Sequence, residues 1–193
     1  MADSESVWKC KLVSADDEKN IYESVDGYKI IAYHIKKGDI VECYTVFHND
    51  TDKTVILDML SSFALTELDF DILHRATSFW SAEGKILTQK LTELNMERSW
   101  SGHGIRIEKF GQIGSMPVRK WFPFVAVENS RTNEFVGVQL YCPSSWQIEL
   151  FRHKEPLTLL GGIADFDYGH WFKKIQPNES FTTPKAVVAV GNS

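Results

Sequence analysis

From about Tyr28 to its C-terminus the chain is a succession of short runs rich in valine, isoleucine, tyrosine, phenylalanine and threonine, each stopped by turn-forming residues. No apolar period of 3.6 persists long enough for an extended amphipathic helix, so sheets must bury the apolar side chains. Tyr28 to Lys36 stops at Lys37-Gly38, Asp39 to His48 stops at Asn49-Asp50-Thr51-Asp52, and Val55 to Leu65 follows as one run. Further runs cover Gly104 to Phe110, Trp121 to Glu128, Glu134 to Cys142, Trp146 to His153, Leu157 to Leu160, His170 to Ile175 and Phe181 to Val190. One segment is ambiguous: Leu87, Leu91 and Leu94 stand at helical spacing, yet Leu87, Gln89 and Leu91 also fit a two-residue period, and the strand reading is adopted. About a dozen strands result, which predicts an all-β antiparallel sandwich with little helix, forming one domain over residues 1–193.

Composition narrows the possible functions. The chain has 193 residues, 43% of them hydrophobic, enough for a proper core. Lysine plus arginine number 21 against 26 aspartates and glutamates, a net charge of −5, and that field repels a phosphate backbone, so no nucleic-acid partner is expected. The opening residues Met1-Ala2-Asp3-Ser4-Glu5-Ser6 are acidic and polar where a secretory signal is basic and then apolar. No apolar stretch reaches the roughly 20 residues that span a bilayer. These features predict a cytoplasmic protein without membrane contact. Cys10, Cys43 and Cys142 are odd in number and widely spaced, which reads as reduced thiols; Asn49-Asp50-Thr51 and Asn178-Glu179-Ser180 read as turns rather than glycosylation sites.

Candidate chemistry is sparse. Asp165 and Asp167 in ADFDYGHW would share one face of a strand, like the paired acids of a glycosidase, but Gly162 and Gly169 flank them and mark a turn. Ser101-Gly102-His103 places a hydroxyl near an imidazole without a nucleophile elbow around it. The six histidines show no metal-ligand spacing, so neither metal nor cofactor is predicted. An epimerase-like site would need a histidine and a carboxylate on one sheet face, drawn from His170 or His103 and Glu149 or Asp167. The six tryptophans stand out more. Between Trp100 and Phe124 aromatic residues alternate with His103, Arg119 and Lys120 around a loop containing Gly111, Gly114, Ser115 and Pro117. Indole faces stack on the apolar side of a pyranose, and arginine or histidine donates to its hydroxyls. Core filling is the ordinary use of such residues; a sugar-facing rim is the functional one. Trp146, beside Pro143-Ser144-Ser145, is read mainly as a wedge between sheets and secondarily as a sugar contact.

The segments SSFAL (from Ser61), FWSAEGK (from Phe79), GHGIRIEKFGQIGSMPVRKWFPF (from Gly102), VGVQL with SWQIEL (from Val136), and LLGGIAD with GHWFKKIQPNESFTTPKAV (from Leu159) resemble the N-terminal domain of glycoside hydrolase family 36 α-galactosidases. The likeness covers about two-thirds of the chain, and the run from Tyr28 to Leu60 is similar to that domain's preceding strands. The resemblance implies a large twisted β-sandwich (a supersandwich), followed in the family by a TIM barrel holding the catalytic aspartates of a retaining mechanism. A barrel takes about 250 residues, and no helix–strand alternation occurs here, so a barrel is expected to be absent from this chain. The implied role is non-catalytic. The sandwich would pack against the catalytic barrel, help assemble a homo-oligomer, and lend His103, Arg119, Trp121 or Trp146 to the rim of a pocket for α-galactosides. An independent carbohydrate-binding module is the alternative.

Overall fold

The computed structural model describes residues 10–96, 106–116, 118–152 and 156–192. Among them, fourteen of sixteen strands form two principal sheets, one of ten strands and one of four. The larger runs β1(Cys10–Ala15), β2(Lys19–Ser24), β3(Tyr28–Lys37), β4(Ile40–Asn49), β16(Lys185–Asn192), β11(Glu134–Tyr141), β10(Trp121–Asn129), β7(Ile72–Thr77), β8(Ile86–Lys90), with β15(Ser180–Thr182) also pairing with β4. The smaller is β6(Ser61–Leu68), β13(Leu157–Ile163), β12(Trp146–Arg152), β9(Arg106–Gln112), and β14(Lys173–Ile175) pairs with β5(Val55–Leu57) as a two-stranded ribbon. All the pairings are antiparallel.

The period-two pattern places the core. On β4, β10 and β11 the alternate residues Cys43, Val125, Val127, Val136, Val138 and Leu140 are buried, and they face Phe63, Phe110, Trp146, Ile148, Leu150, Leu157 and Leu159 of the smaller sheet. Trp146 is fully buried at the centre, edge-on to Phe110 with ring centroids 6.0 Å apart. Gly111 makes this seat possible: a Cβ there would lie 2.1 Å from the Trp146 carbonyl oxygen, so only glycine lets β9 approach β12 at this point. A smaller cluster of Phe47, Leu57, Leu60 and Ile175 seals the end under the β5–β14 ribbon. Asn49, fully buried, donates from Nδ2 to the carbonyls of Lys53 and Ile175 and so fastens the end of β4 to the ribbon.

The expected all-β sandwich stands, and its details differ in instructive ways. The single run Val55 to Leu65 divides into β5 and β6, which join different sheets. The run Phe181 to Val190 likewise divides around Thr183 and Pro184; Pro184 has no N–H for a ladder, while the Thr183 hydroxyl accepts from the Thr45 amide. Both readings of Leu87 to Leu94 apply in sequence, because β8 ends at Lys90 and Leu91–Leu94 form a 3-10 turn closed by Asn95 in the left-handed conformation. The run His170 to Ile175 begins instead after a one-turn helix α1(Phe166–Gly169), with strand only from Lys173. Before Tyr28 the hairpin β1–β2 extends the larger sheet, an element that the largely exposed residues of β1 do not announce.

Candidate functional site at the β7–β8 and β9–β10 loops

Two connections meet at one end of the sandwich: Ser78 to Lys85 between β7 and β8, and Ile113 to Lys120 between β9 and β10. They are joined by the Ser78 amide donating to the Lys120 carbonyl at 3.0 Å. The first loop is closed by its own bonds. Gly84 N–H donates to Thr77 C=O, Thr77 N–H to Lys85 C=O, and the Thr77 hydroxyl to Ala82 C=O at 2.6 Å. At its tip Ser81 adopts φ +63°, a conformation costly for a residue with a Cβ, and beside it Trp80 is 92% exposed. Phe79, Ile86, Ile113 and Met116 are exposed around the same end. An indole held outward by a hydrogen-bonded loop is surface available to a partner, not core filling.

The residues expected at the rim are distributed unevenly. Arg119 is exposed in the β9–β10 connection. Trp121, half-buried, starts β10 and turns inward: its ring packs against Phe110 at 5.9 Å and carries the Arg75 guanidinium carbon 4.8 Å from its centroid. Arg75, buried between the sheets, donates to Glu108 at 2.6 Å and to Gln89, so Trp121 covers an inter-sheet ion pair. Trp146 lies wholly within the core and offers no surface for stacking, which leaves its expected wedge role and removes the sugar contact. His103 lies outside the described residues. Among the described residues the exposed indole is Trp80. The Phe-Trp pair inside a polar, glycine-containing turn is the signal that could have identified it.

A second constellation occupies the outer face of the smaller sheet. Lys109 on β9 bonds Glu149 on β12 at 3.1 Å and Asp165 at 2.9 Å, while the Gln147 amide donates to the same Asp165 oxygen at 2.8 Å. Asp165 also caps α1, accepting the Tyr168 amide at 2.7 Å. Burial would raise the Asp165 carboxyl, yet the bonds from Gln147, Lys109 and Tyr168 hold it below the usual carboxylate range. Burial pushes Glu149 up, and Lys109 only partly offsets that. Burial disfavours the Lys109 ammonium, but Asp165 and Glu149 outweigh it and raise its pKa. Asp165 and Asp167 thus stand at a helix start, as the flanking glycines indicate, and the buried one neutralises a lysine.

His170 follows α1 and packs edge-on to Phe166 at 5.8 Å, while Glu149 is committed to Lys109. Among the described residues the histidine–carboxylate pair that does form is His74 with Glu128, 2.8 Å apart across β7 and β10, with Nδ1 of the same ring 2.9 Å from the Thr88 hydroxyl. Strand spacing alone could not reveal it, since the partners are 54 residues apart.

The described residues thus form a two-sheet antiparallel sandwich with an exposed tryptophan carried on one loop. The fold is that of a segment of GH36 alpha-galactosidases. Alpha-galactosidase AgaB from Geobacillus stearothermophilus matches with a TM-score of 0.72 at 16% identity, over 91% of this chain and 23% of that one. The galactosidase domain of the alpha-galactosidase-sucrose kinase AgaSK gives 0.73 at 12%, over 95% and 25%. An alpha-galactosidase from Lactobacillus brevis gives 0.60 at 13%, over 95% and 26%. The chain therefore spans about a quarter of the length of these enzymes. No protein-family model matches it, and no curated protein is similar to it in sequence. Among the described residues no helix is long and apolar enough to cross a membrane.

Proposed function

We propose that the chain is the non-catalytic β-sandwich domain of an α-galactosidase, residues 1–193 forming one domain that packs against a catalytic barrel and helps assemble a cytoplasmic homo-oligomer. The observation that carries this reading is the coverage: the sandwich accounts for nine-tenths of this chain yet a quarter of the enzymes that share it. The buried carboxylates agree with it, because Glu149 and Asp165 share one ammonium and Asp165 also caps a helix. Unpaired Cys43 and Cys142 in the core suit a reducing compartment. Trp80, Phe79 and Met116 supply the contact surface, and Arg119 with Trp121 and His103 stand as the rim residues lent to an α-galactoside pocket.

The test has two parts. Rigorously purified chain is expected to release no nitrophenol from p-nitrophenyl α-galactoside; measurable turnover overturns the proposal. In sedimentation experiments the chain is expected to self-associate, and Trp80→Ala to weaken that association by at least about 30-fold, the 2 kcal/mol of an interface hot spot. Its folding stability should change by less than about 0.5 kcal/mol, because the indole is 92% exposed.

The exposure of Trp80, and of Arg119 in the loop bonded to its own, supports a second reading, an independent sugar-binding module. Calorimetric titration with galactose, melibiose and raffinose separates the two: binding abolished by Trp80→Ala favours the module.

A further inference from the structure

The larger sheet has a second broad face that no other layer covers among the described residues, and its side chains are not those of a merely solvated surface. Alternation along β4 turns Cys43, Thr45 and Phe47 inward and Glu42 and Tyr44 outward. The registers carry that outward side across the sheet: Tyr33 pairs with Tyr44, Val187 with Glu42, Gln139 with Val187, Tyr141 with Lys185 and Phe124 with Gln139. One face of five adjacent strands thus gathers Tyr33, Tyr44, Tyr141 and Phe124 around Lys185, Glu42 and Gln139.

The polar groups are fixed in place. Glu42 receives Lys185 at 2.9 Å on one oxygen and Lys37 at 3.0 Å on the other, and both bonds hold its carboxyl below the usual range. The Lys185 ammonium also lies 5.6 Å from the Tyr44 ring centroid, and Tyr44 stacks on Tyr33 at 4.5 Å with their planes 12° apart. Tyr141, two strands from Tyr44 or about 9.5 Å at ordinary strand spacing, is 61% exposed. Between the two rings stands Lys185, bonded to Glu42. The core of a protein interface is depleted of charged residues, whereas here an ion pair sits among the rings. Alternating ring faces and fixed donors and acceptors suit a ligand whose own surface alternates apolar ring faces with hydroxyls.

We propose that this outer face of the larger sheet is a saccharide-binding surface, with Tyr141 as the stacking platform, Glu42 and Lys185 as the oriented hydroxyl partners, and the Tyr33–Tyr44 stack as the far wall. A disaccharide or longer neutral chain spans it. The surface is separate from the loop end bearing Trp80 and does not depend on the α-galactosidase reading, which could fail without affecting it.

The test is a titration of 15N-labelled chain with melibiose, raffinose and cellobiose, followed by NMR. Millimolar binding by at least one of them is expected, with amide shifts concentrated at residues 42–44, 139–141 and 185–187. Tyr141→Ala is expected to weaken that binding at least tenfold, equivalent to 1.4 kcal/mol, with unchanged thermal stability because the ring is exposed. Glu42→Gln, which keeps the side chain's shape but removes its charge, should weaken it severalfold. Shifts confined to residues 78–85 and 118–121, equal affinity in the Tyr141→Ala variant, or no binding by any of the three sugars would each overturn the proposal. Turnover of the nitrophenyl substrate bears on the α-galactosidase reading alone.

Discussion

Replacing Lys109 by methionine is expected to destabilise the protein by about 3 kcal/mol or more at neutral pH, because it leaves Glu149 and Asp165 with no cation between them in a largely buried setting. That cost should shrink as the pH falls, which sets it apart from lost packing. Without the ammonium both carboxyls titrate higher, so the native variant takes up protons that the unfolded chain does not, and acid relieves it. In the unaltered protein the two acids act in opposite senses. Asp165, held low, contributes stability that is present above its unfolded pKa and is lost as the pH drops through its folded value. Glu149, held high by burial, costs stability as the pH rises through the range between its unfolded and folded values. Glu149→Gln should therefore remove a decline in stability on the alkaline side of about pH 4.5 and leave the acid-side loss from Asp165 in place. Urea midpoints measured from pH 3 to 8 check both statements, and a Lys109→Met penalty independent of pH would refute the charge argument.

Among the described tryptophans Trp146→Ala should be the most damaging substitution, at about 3–5 kcal/mol, against a total stability of about 5–15 kcal/mol for a domain. The indole is fully buried at the centre of the inter-sheet core, edge-on to Phe110. Beneath it Gly111 has surrendered its side chain to let the β12 backbone come close, so the strands cannot close over the cavity. Trp80→Ala, at 92% exposure, is the control. Denaturant melts of the two variants compare them directly, and similar midpoints would mean that Trp146 is not the wedge described here.

The sequence alone determined the layers. Alternation such as Val136, Val138, Leu140 and Val125, Val127 requires one wet and one dry face per strand, and two such sets of strands can bury their dry faces only against each other. It also marked the breaks at Gly38, Asn49 and Asn129, because turn chemistry is local. What it could not determine was which tryptophan faces outward. Trp80, Trp121 and Trp146 all stand at strand ends or turns, and the difference between them is set by what distant stretches of chain place beside them: Arg75 of β7 under Trp121, Phe110 of β9 against Trp146, and no described residue covering Trp80. Nor could it join Lys109 to Asp165 or Tyr44 to Lys185, partners 56 and 141 residues apart that only the sheet order brings together. Period and turn signals act over a few residues, whereas a site here is assembled from side chains of different strands, and tertiary pairing alone decides which strands are neighbours.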